Sequence, residues 1–261
     1  MPAVELIREG SVVHLVMNRP DVHNAFDDGL IAALTEALAA VDDDDSVRAV
    51  VLTGTGASFS AGADLNWMRG MATASEADNR ADSERLAGLM RRLQFLSKPT
   101  IARVNGAAFG GGVGLVACCD IAIAADTAKF ALSEVKLGLV PAVISPYVVA
   151  AIGLRHARRL FLTGEVFDAT AALGMNLVHE VVPAGALDTA VAGVIDLIGK
   201  GGPVAQREAK QLALAMGGMR PADMEGVDAA NAALIARLRV SAEGQDGLSA
   251  FLAKSRPSWI A

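Results

Sequence analysis

GAAFGGGVGLVACCDIAIAADTAKFALSEVKLGLVP, residues 106–141, decides the fold class. Within it the triplet Gly110-Gly111-Gly112 marks a turn, the apolar residues after it read as a helix, and IAIAA (121–125) reads as a strand. A short extended segment follows, running through Phe130 to Val135. Upstream the same alternation recurs. TIARVNG (100–106) is a strand set off by Lys98-Pro99, an amphipathic helix covers 76–96, and RAVVLTGTG (48–56) is a buried strand ending in glycines. Leu30, Leu34, Leu38 and Val41 lie on one face of an earlier helix that the run Asp42–Asp45 ends as a solvated turn. VELIREGSVVHLVMN (4–18) pairs two short strands around Glu9-Gly10. Strands alternating with helices argue for an α/β architecture on a parallel sheet.

Downstream the pattern changes. Leu137 to Leu154 carries no charge, but Pro141, Ser145 and Pro146 interrupt it, so it reads as a buried loop and helix rather than a membrane span. Beyond residue 183, AGALDTAVAGVIDLIGK, PVAQREAKQLALAM and PADMEGVDAANAALIARLRV are all helical patterns, with EGQDGLSAFLAK behind them. The expected division is therefore a mixed core over 1–183 and an all-helical extension over 184–261.

Composition narrows the function. The chain has 261 residues, 52% hydrophobic, 20% charged and only 4% aromatic, so a large core of small aliphatic side chains is available. A net charge of −6 argues against a nucleic-acid or anionic-membrane surface. Cys118 and Cys119 are adjacent and have no second pair, which excludes a disulfide framework and a cysteine zinc site. His14, His23, His156 and His179 show no metal-ligand spacing. Glu5, Arg8 and Glu9 stand where an export signal would be apolar, so a soluble cytoplasmic protein is expected.

Three features could carry chemistry. Phe59-Ser60-Ala61-Gly62-Ala63-Asp64-Leu65 follows the 48–56 strand and opens a helix, and Gly110-Gly111-Gly112 does the same after 100–105. N–H groups at helix N-termini have no partner within the helix, and small residues there let a ligand approach the backbone. Two such turns facing each other would cradle one developing oxyanion; each alone could equally be a packing device. Neither has a P-loop ending, and no dinucleotide fingerprint is present. Glu134, flanked by Phe130, Leu132 and Val135, is the third. Desolvation there would suit it to proton transfer near neutrality, whereas a salt bridge beside Lys136 would not. Asp64 and Asn24 both stand where helix caps belong, and Trp67 and Met68 could line a pocket or fill the core.

NRPDVHNAF (18–26), FSAGADLNWM (59–68), NGAAFGGGVGLVACCDIAIA (105–124), FALSEVKLGLVP (130–141) and ALGMNLVHEVVP (172–183) resemble, in order and spacing, the crotonase or enoyl-CoA hydratase/isomerase family. Within it, LSEVKLGLVPAVISPYVV is similar to bacterial methylglutaconyl-CoA hydratases of leucine degradation. The resemblance implies a crotonase-like repeated ββα spiral core, with a C-terminal helical region for trimerisation and pocket closure, in a homotrimer or dimer of trimers. It implies an acyl-CoA thioester substrate, with coenzyme A as part of that substrate and no metal or separate cofactor. It assigns the oxyanion donors to the N–H groups of Ala63 and Gly111 and the proton transfer to Glu134. Substrate binding falls to Ala61, Gly62, Asp64 and Leu65 in the first turn and to Gly110 and Gly114 in the second. Arg19 and His23 lie in the loop that the resemblance associates with coenzyme phosphates.

One position departs. Hydratases of this family commonly carry a second glutamate four residues after the start of the Gly triplet, and here that residue is Gly114. A single acid could serve a hydratase that moves protons on one face of the double bond. It could also serve a Δ3,Δ2-enoyl-CoA isomerase, or remain in a non-catalytic acyl-CoA-binding member. Arg69 and Lys136 are the candidates for any distal carboxylate on the acyl group.

Overall fold

The computed structural model describes residues 2–260. In chain order the strands are β1 (Val4–Glu9), β2 (Val12–Met17), β3 (Ala49–Gly54), β4 (Ser58–Ser60), β5 (Thr100–Val104), β6 (Ala107–Phe109), β7 (Ile121–Ala125), β8 (Lys129–Ala131), β9 (Val166–Asp168) and β10 (Glu180–Val182). The helices are α1 (Asp28–Asp42), α2 (Leu65–Thr73), α3 (Glu76–Gln94), α4 (Gly111–Cys118), α5 (Ser145–Thr163), α6 (Ala169–Gly174), α7 (Leu187–Gly199), α8 (Pro203–Met216), α9 (Pro221–Val240) and α10 (Ala242–Leu252).

The strands divide between two sheets, in the orders β1-β2-β3-β5-β7-β10 and β4-β6-β8-β9. Apart from the antiparallel pairs β1–β2 and β8–β9, neighbours run parallel. Each successive pair, β3/β4, β5/β6 and β7/β8, sends its first strand to the large sheet and its second to the small one. A helix follows each of these pairs, α5 after a short 3-10 turn in the third, so the chain winds as a repeated ββα spiral. This is the architecture that the resemblance implied.

The inner strands of the large sheet are covered on both faces, which explains the nearly continuous burial along β3 and β7. Along β3, Val50 and Leu52 enter the main core with Phe59, Leu89 and Phe130. Ala49 and Val51 face the other way, packing with Ile101, Ile123 and the α7 residues Leu187, Val191 and Ile198. A core with few aromatics thus closes by layering short aliphatic side chains on two sides of the sheet.

Two local expectations are corrected. Asn24 does not cap α1: it is fully buried at φ +55°, and its Nδ2 donates to Thr55 O and Ser58 O at 2.9 and 2.8 Å. Asp27 is the cap, its Oδ1 accepting from Leu30 N at 2.8 Å. The extended segment stops at Ala131, and Glu134 opens a 3-10 turn, Glu134–Leu137, closed by Gly138 at φ +67°. No helix among the described residues is long and apolar enough to cross a membrane.

Candidate active site

The small sheet brings the two glycine turns together. Strand β4 leads into Ala61-Gly62-Ala63 and α2, while the parallel neighbour β6 leads into Gly110-Gly111 and α4. Gly62 has φ +84° and Gly110 φ +48°, conformations that side chains with a Cβ rarely adopt. A Cβ on Gly62 would lie 3.0 Å from Phe109 O and 3.9 Å from Gly110 Cα, so the turns approach closely. Phe26 fixes the first turn, its N–H donating to Gly62 O at 2.6 Å and its carbonyl accepting from Asp64 N at 2.9 Å. Those bonds engage the residues on either side of Ala63. In the second turn Gly110 N donates to Ala131 O at 2.9 Å. Among the described residues, neither Ala63 nor Gly111 gives its N–H to an acceptor. Two free donors therefore stand on adjoining turns.

Glu134 completes the junction. A Cβ at Gly110 would come within 2.9 Å of its Oε1, which places the carboxylate directly against the second turn. Its Oε2 is buried without a hydrogen-bond partner among the described residues. Burial pushes the Glu134 carboxyl up to about 7, opposed only by a hydrogen bond to its own backbone. The salt bridge to Lys136 considered from sequence is not formed: Lys136 is exposed, and Glu134 enters no ion pair among the described residues.

A cavity of about 340 Å³ opens over this junction. Ala61, Gly62, Ala63, Gly110, Gly111 and Glu134 all line it, beside Phe26, Trp67 and Met68. Trp67 and Met68 thus serve both readings, as pocket wall and as core packing. The C-terminal helices also line it, with Ile235 and Arg239 of α9 and Leu248 and Phe251 of α10.

Three of the expected binding residues lie off this wall. Asp64 is a helix cap, its Oδ1 accepting from Asn66 N at 2.8 Å and its Oδ2 pairing with Arg19 Nη2 at 3.1 Å. Leu65 is half exposed on the first turn of α2. Gly114 sits behind the wall, where a Cβ would fall 2.9 Å from Ile144 Cβ and 3.3 Å from Met90 Cε. The place for a second acid is filled by hydrocarbon. Arg19 is also engaged, by Asp27 at 2.7 Å and by Asp64, whereas His23 is exposed beside Ser58. Arg69 is exposed and bonded to Asn66, away from the cavity. Cys118 and Cys119 are buried, and burial raises both thiols, as expected of packing residues.

Arg239 was missed from the sequence, although a signal exists. Met224, Asp228, Ala232, Ile235 and Ala236 are the buried stripe of α9, and Arg239 continues it at i+3 and i+4. A cation at the end of a buried face marks a group with a specific partner or ligand.

The enoyl-CoA hydratase/isomerase family model matches residues 8–261. The chain is 32% identical to the 2,3-dehydroadipyl-CoA hydratase of Escherichia coli K12, over 97% of this chain and 96% of that one. It is also 32% identical to the crotonyl-CoA hydratase of Syntrophomonas wolfei, over 98% and 96% of the two chains. The crystal structure of an enoyl-CoA hydratase from Shewanella pealeana superposes with a TM-score of 0.81 at 42% identity, covering 98% of this chain and 96% of that one. With two sheets wound as a ββα spiral, paired glycine turns and a family match across nearly the whole chain, this protein belongs to the enoyl-CoA hydratase/isomerase family.

Proposed function

We propose that this enzyme is a lyase that adds water reversibly to an α,β-unsaturated acyl-CoA thioester, with Glu134 as its proton-transfer residue and the N–H groups of Ala63 and Gly111 as its oxyanion donors. The observation that carries the reading is the Glu134 carboxylate, its buried Oε2 unpartnered among the described residues, against a turn whose Gly111 N–H donates to no described acceptor. The thioester oxygen accepts from the two amides, which draws electron density from the double bond and makes the β-carbon electrophilic. Ionised Glu134 removes a proton from water as the oxygen adds to that carbon. The resulting enolate is held by the two donors, each worth roughly 3–4 kcal/mol in such a site. The same carboxyl then returns the proton to the α-carbon on the same face. A carboxyl titrating at about 7 can both take and give a proton near neutrality.

The favoured substrate is methylglutaconyl-CoA, as in leucine degradation, on the likeness of residues 132–149. The region 184–261 is read as the trimerising and pocket-closing part, in a homotrimer or dimer of trimers. Exposed Leu197, Val204, Leu212 and Met216 on α7 and α8 support it.

Isomerisation is the second reading, and the hydrocarbon around Gly114 favours it, because a double-bond shift needs only one acid. There Glu134 would remove an α-proton and redeliver it at the γ-carbon. Absorbance of the enoyl thioester separates the two: hydration of crotonyl-CoA removes the chromophore, and isomerisation of a 3-enoyl-CoA creates it. Glu134→Gln should lower turnover by roughly 10²–10⁴-fold with acyl-CoA affinity largely kept. Full activity in that variant overturns the assignment of Glu134.

A further inference from the structure

The cavity that holds Glu134 contains one buried cation that the proposed chemistry does not use. Among the described lining residues the charged groups are Glu134, Lys136 and Arg239, and Lys136 is exposed. The Arg239 side chain is only 13% exposed. Its guanidinium lies over the Trp67 ring, 5.6 Å from the centroid, and Trp67 lines the same cavity.

The fold compensates this charge incompletely. Asn79 Oδ1, Asp82 Oδ2 and Ser83 Oγ all approach one nitrogen, Nη1, at 3.3, 3.3 and 3.4 Å. Charge-assisted bonds run closer to 2.7–2.9 Å, so these are loose contacts. Asp82 is shared with Arg85 at 3.0 Å, and its burial raises its pKa, which weakens it further as a counter-ion. Nε and Nη2 of Arg239 make no hydrogen bond to any described residue. Those two nitrogens form the edge of the guanidinium that binds a carboxylate with two parallel bonds. The Trp67 Nε1–H, in the same wall, is buried with no acceptor among the described residues. Desolvation also lowers the pKa of Arg239, the response of a cation that lacks sufficient anionic company.

Its position is fixed from behind. Gln245 Nε2 donates to Arg239 O at 2.7 Å and to Ala72 O at 2.9 Å, joining the end of α9 to α2 and α10. The rest of the surrounding wall is apolar, with Met71, Leu86, Ile235 and Leu248.

We infer that the free edge of Arg239 receives a carboxylate on the acyl group, so that the substrates are monothioesters of short dicarboxylic acids. The inference rests on acyl-CoA binding in this cavity, and it supplies the residue that reads the acyl group's second charge. The cavity's modest volume sets the limit on chain length, and its apolar walls position the carbon chain between Glu134 and Arg239.

The test pairs glutaconyl-CoA with trans-2-hexenoyl-CoA, a thioester of similar shape without the second charge. The intact enzyme should prefer glutaconyl-CoA by at least tenfold in kcat/KM. Arg239→Met should erase about ten- to a hundredfold of that ratio, and Arg239→Lys should keep part of it. No preference in the intact enzyme, or an equal fall on both substrates in Arg239→Met, overturns the inference. Calorimetric binding of the saturated thioesters glutaryl-CoA and hexanoyl-CoA separates it from the hydratase reading. If neither enoyl substrate turns over but glutaryl-CoA binds at least tenfold more tightly in an Arg239-dependent way, hydration fails and the carboxylate site stands. If glutaryl-CoA binds no more tightly than hexanoyl-CoA, the site fails. The comparison of ligands on the intact protein tests for a carboxylate site without any variant, and Arg239→Lys, the milder change, tests the residue.

Discussion

Glu134 shows how burial sets both the chemistry and the stability of a single group. In the unfolded chain a glutamate titrates near 4.3, and in the fold this one titrates at about 7. Below both values it is protonated in either state and burial carries no charge penalty. Between them the folded state holds the extra proton, so stability falls as pH rises, and above 7 the full penalty of roughly 3–4 kcal/mol is present. Glu134→Gln removes that titration. Its thermal midpoint should exceed the parent's at pH 8 and lose the advantage near pH 4, and an advantage independent of pH would contradict the burial argument. The kcat/KM profile should show one acid limb near pH 7, since ionised Glu134 is the base. The sequence marked Glu134 through its apolar neighbours but left its surroundings open. The glycine turn that the carboxylate lies against comes from β6, some twenty residues earlier in the chain.

At the scale of elements, the position of that carboxylate depends on how closely α10 approaches it. Gly247 faces the backbone of Leu137 at the end of the Glu134–Leu137 turn, with Trp259 Cη2 2.7 Å from where a Cβ would be. Gly138 closes the same turn at φ +67°, where a Cβ would meet Glu243 O at 2.7 Å. Adding even one methyl group at 247 must push α10 away from backbone rather than from a flexible side chain. Gly247→Ala should destabilise by about 1–3 kcal/mol and lower kcat more than it changes the KM of crotonyl-CoA. Denaturant unfolding and steady-state kinetics check it, and a variant equal to the parent in both would show that the contact does not position Glu134. Periodicity exposed α10 as a helix, but nothing in its sequence says which turn it packs on.

The whole molecule raises a further expectation from its surface. On α8, Val204, Leu212 and Met216 share one face and are 60%, 62% and 75% exposed, with Leu197 of α7 at 66%. Such a face fits the proposed oligomer, for which light scattering should return three or six times the 26.8 kDa chain mass, and Leu212→Asp should reduce it. A monomeric parent would contradict this. The sequence by itself determined the layering, the helical C-terminal third, both glycine turns and the candidate acid. Those follow from local periodicity and from residue types that only particular backbone shapes tolerate. The tertiary structure alone decided that Asn24 braces a loop instead of capping a helix, that Ile144 fills the space at Gly114, and that Arg239 faces the same cavity as Glu134. Each of these depends on contacts between segments tens to a hundred residues apart, and the pattern along a chain does not record which distant atoms will meet.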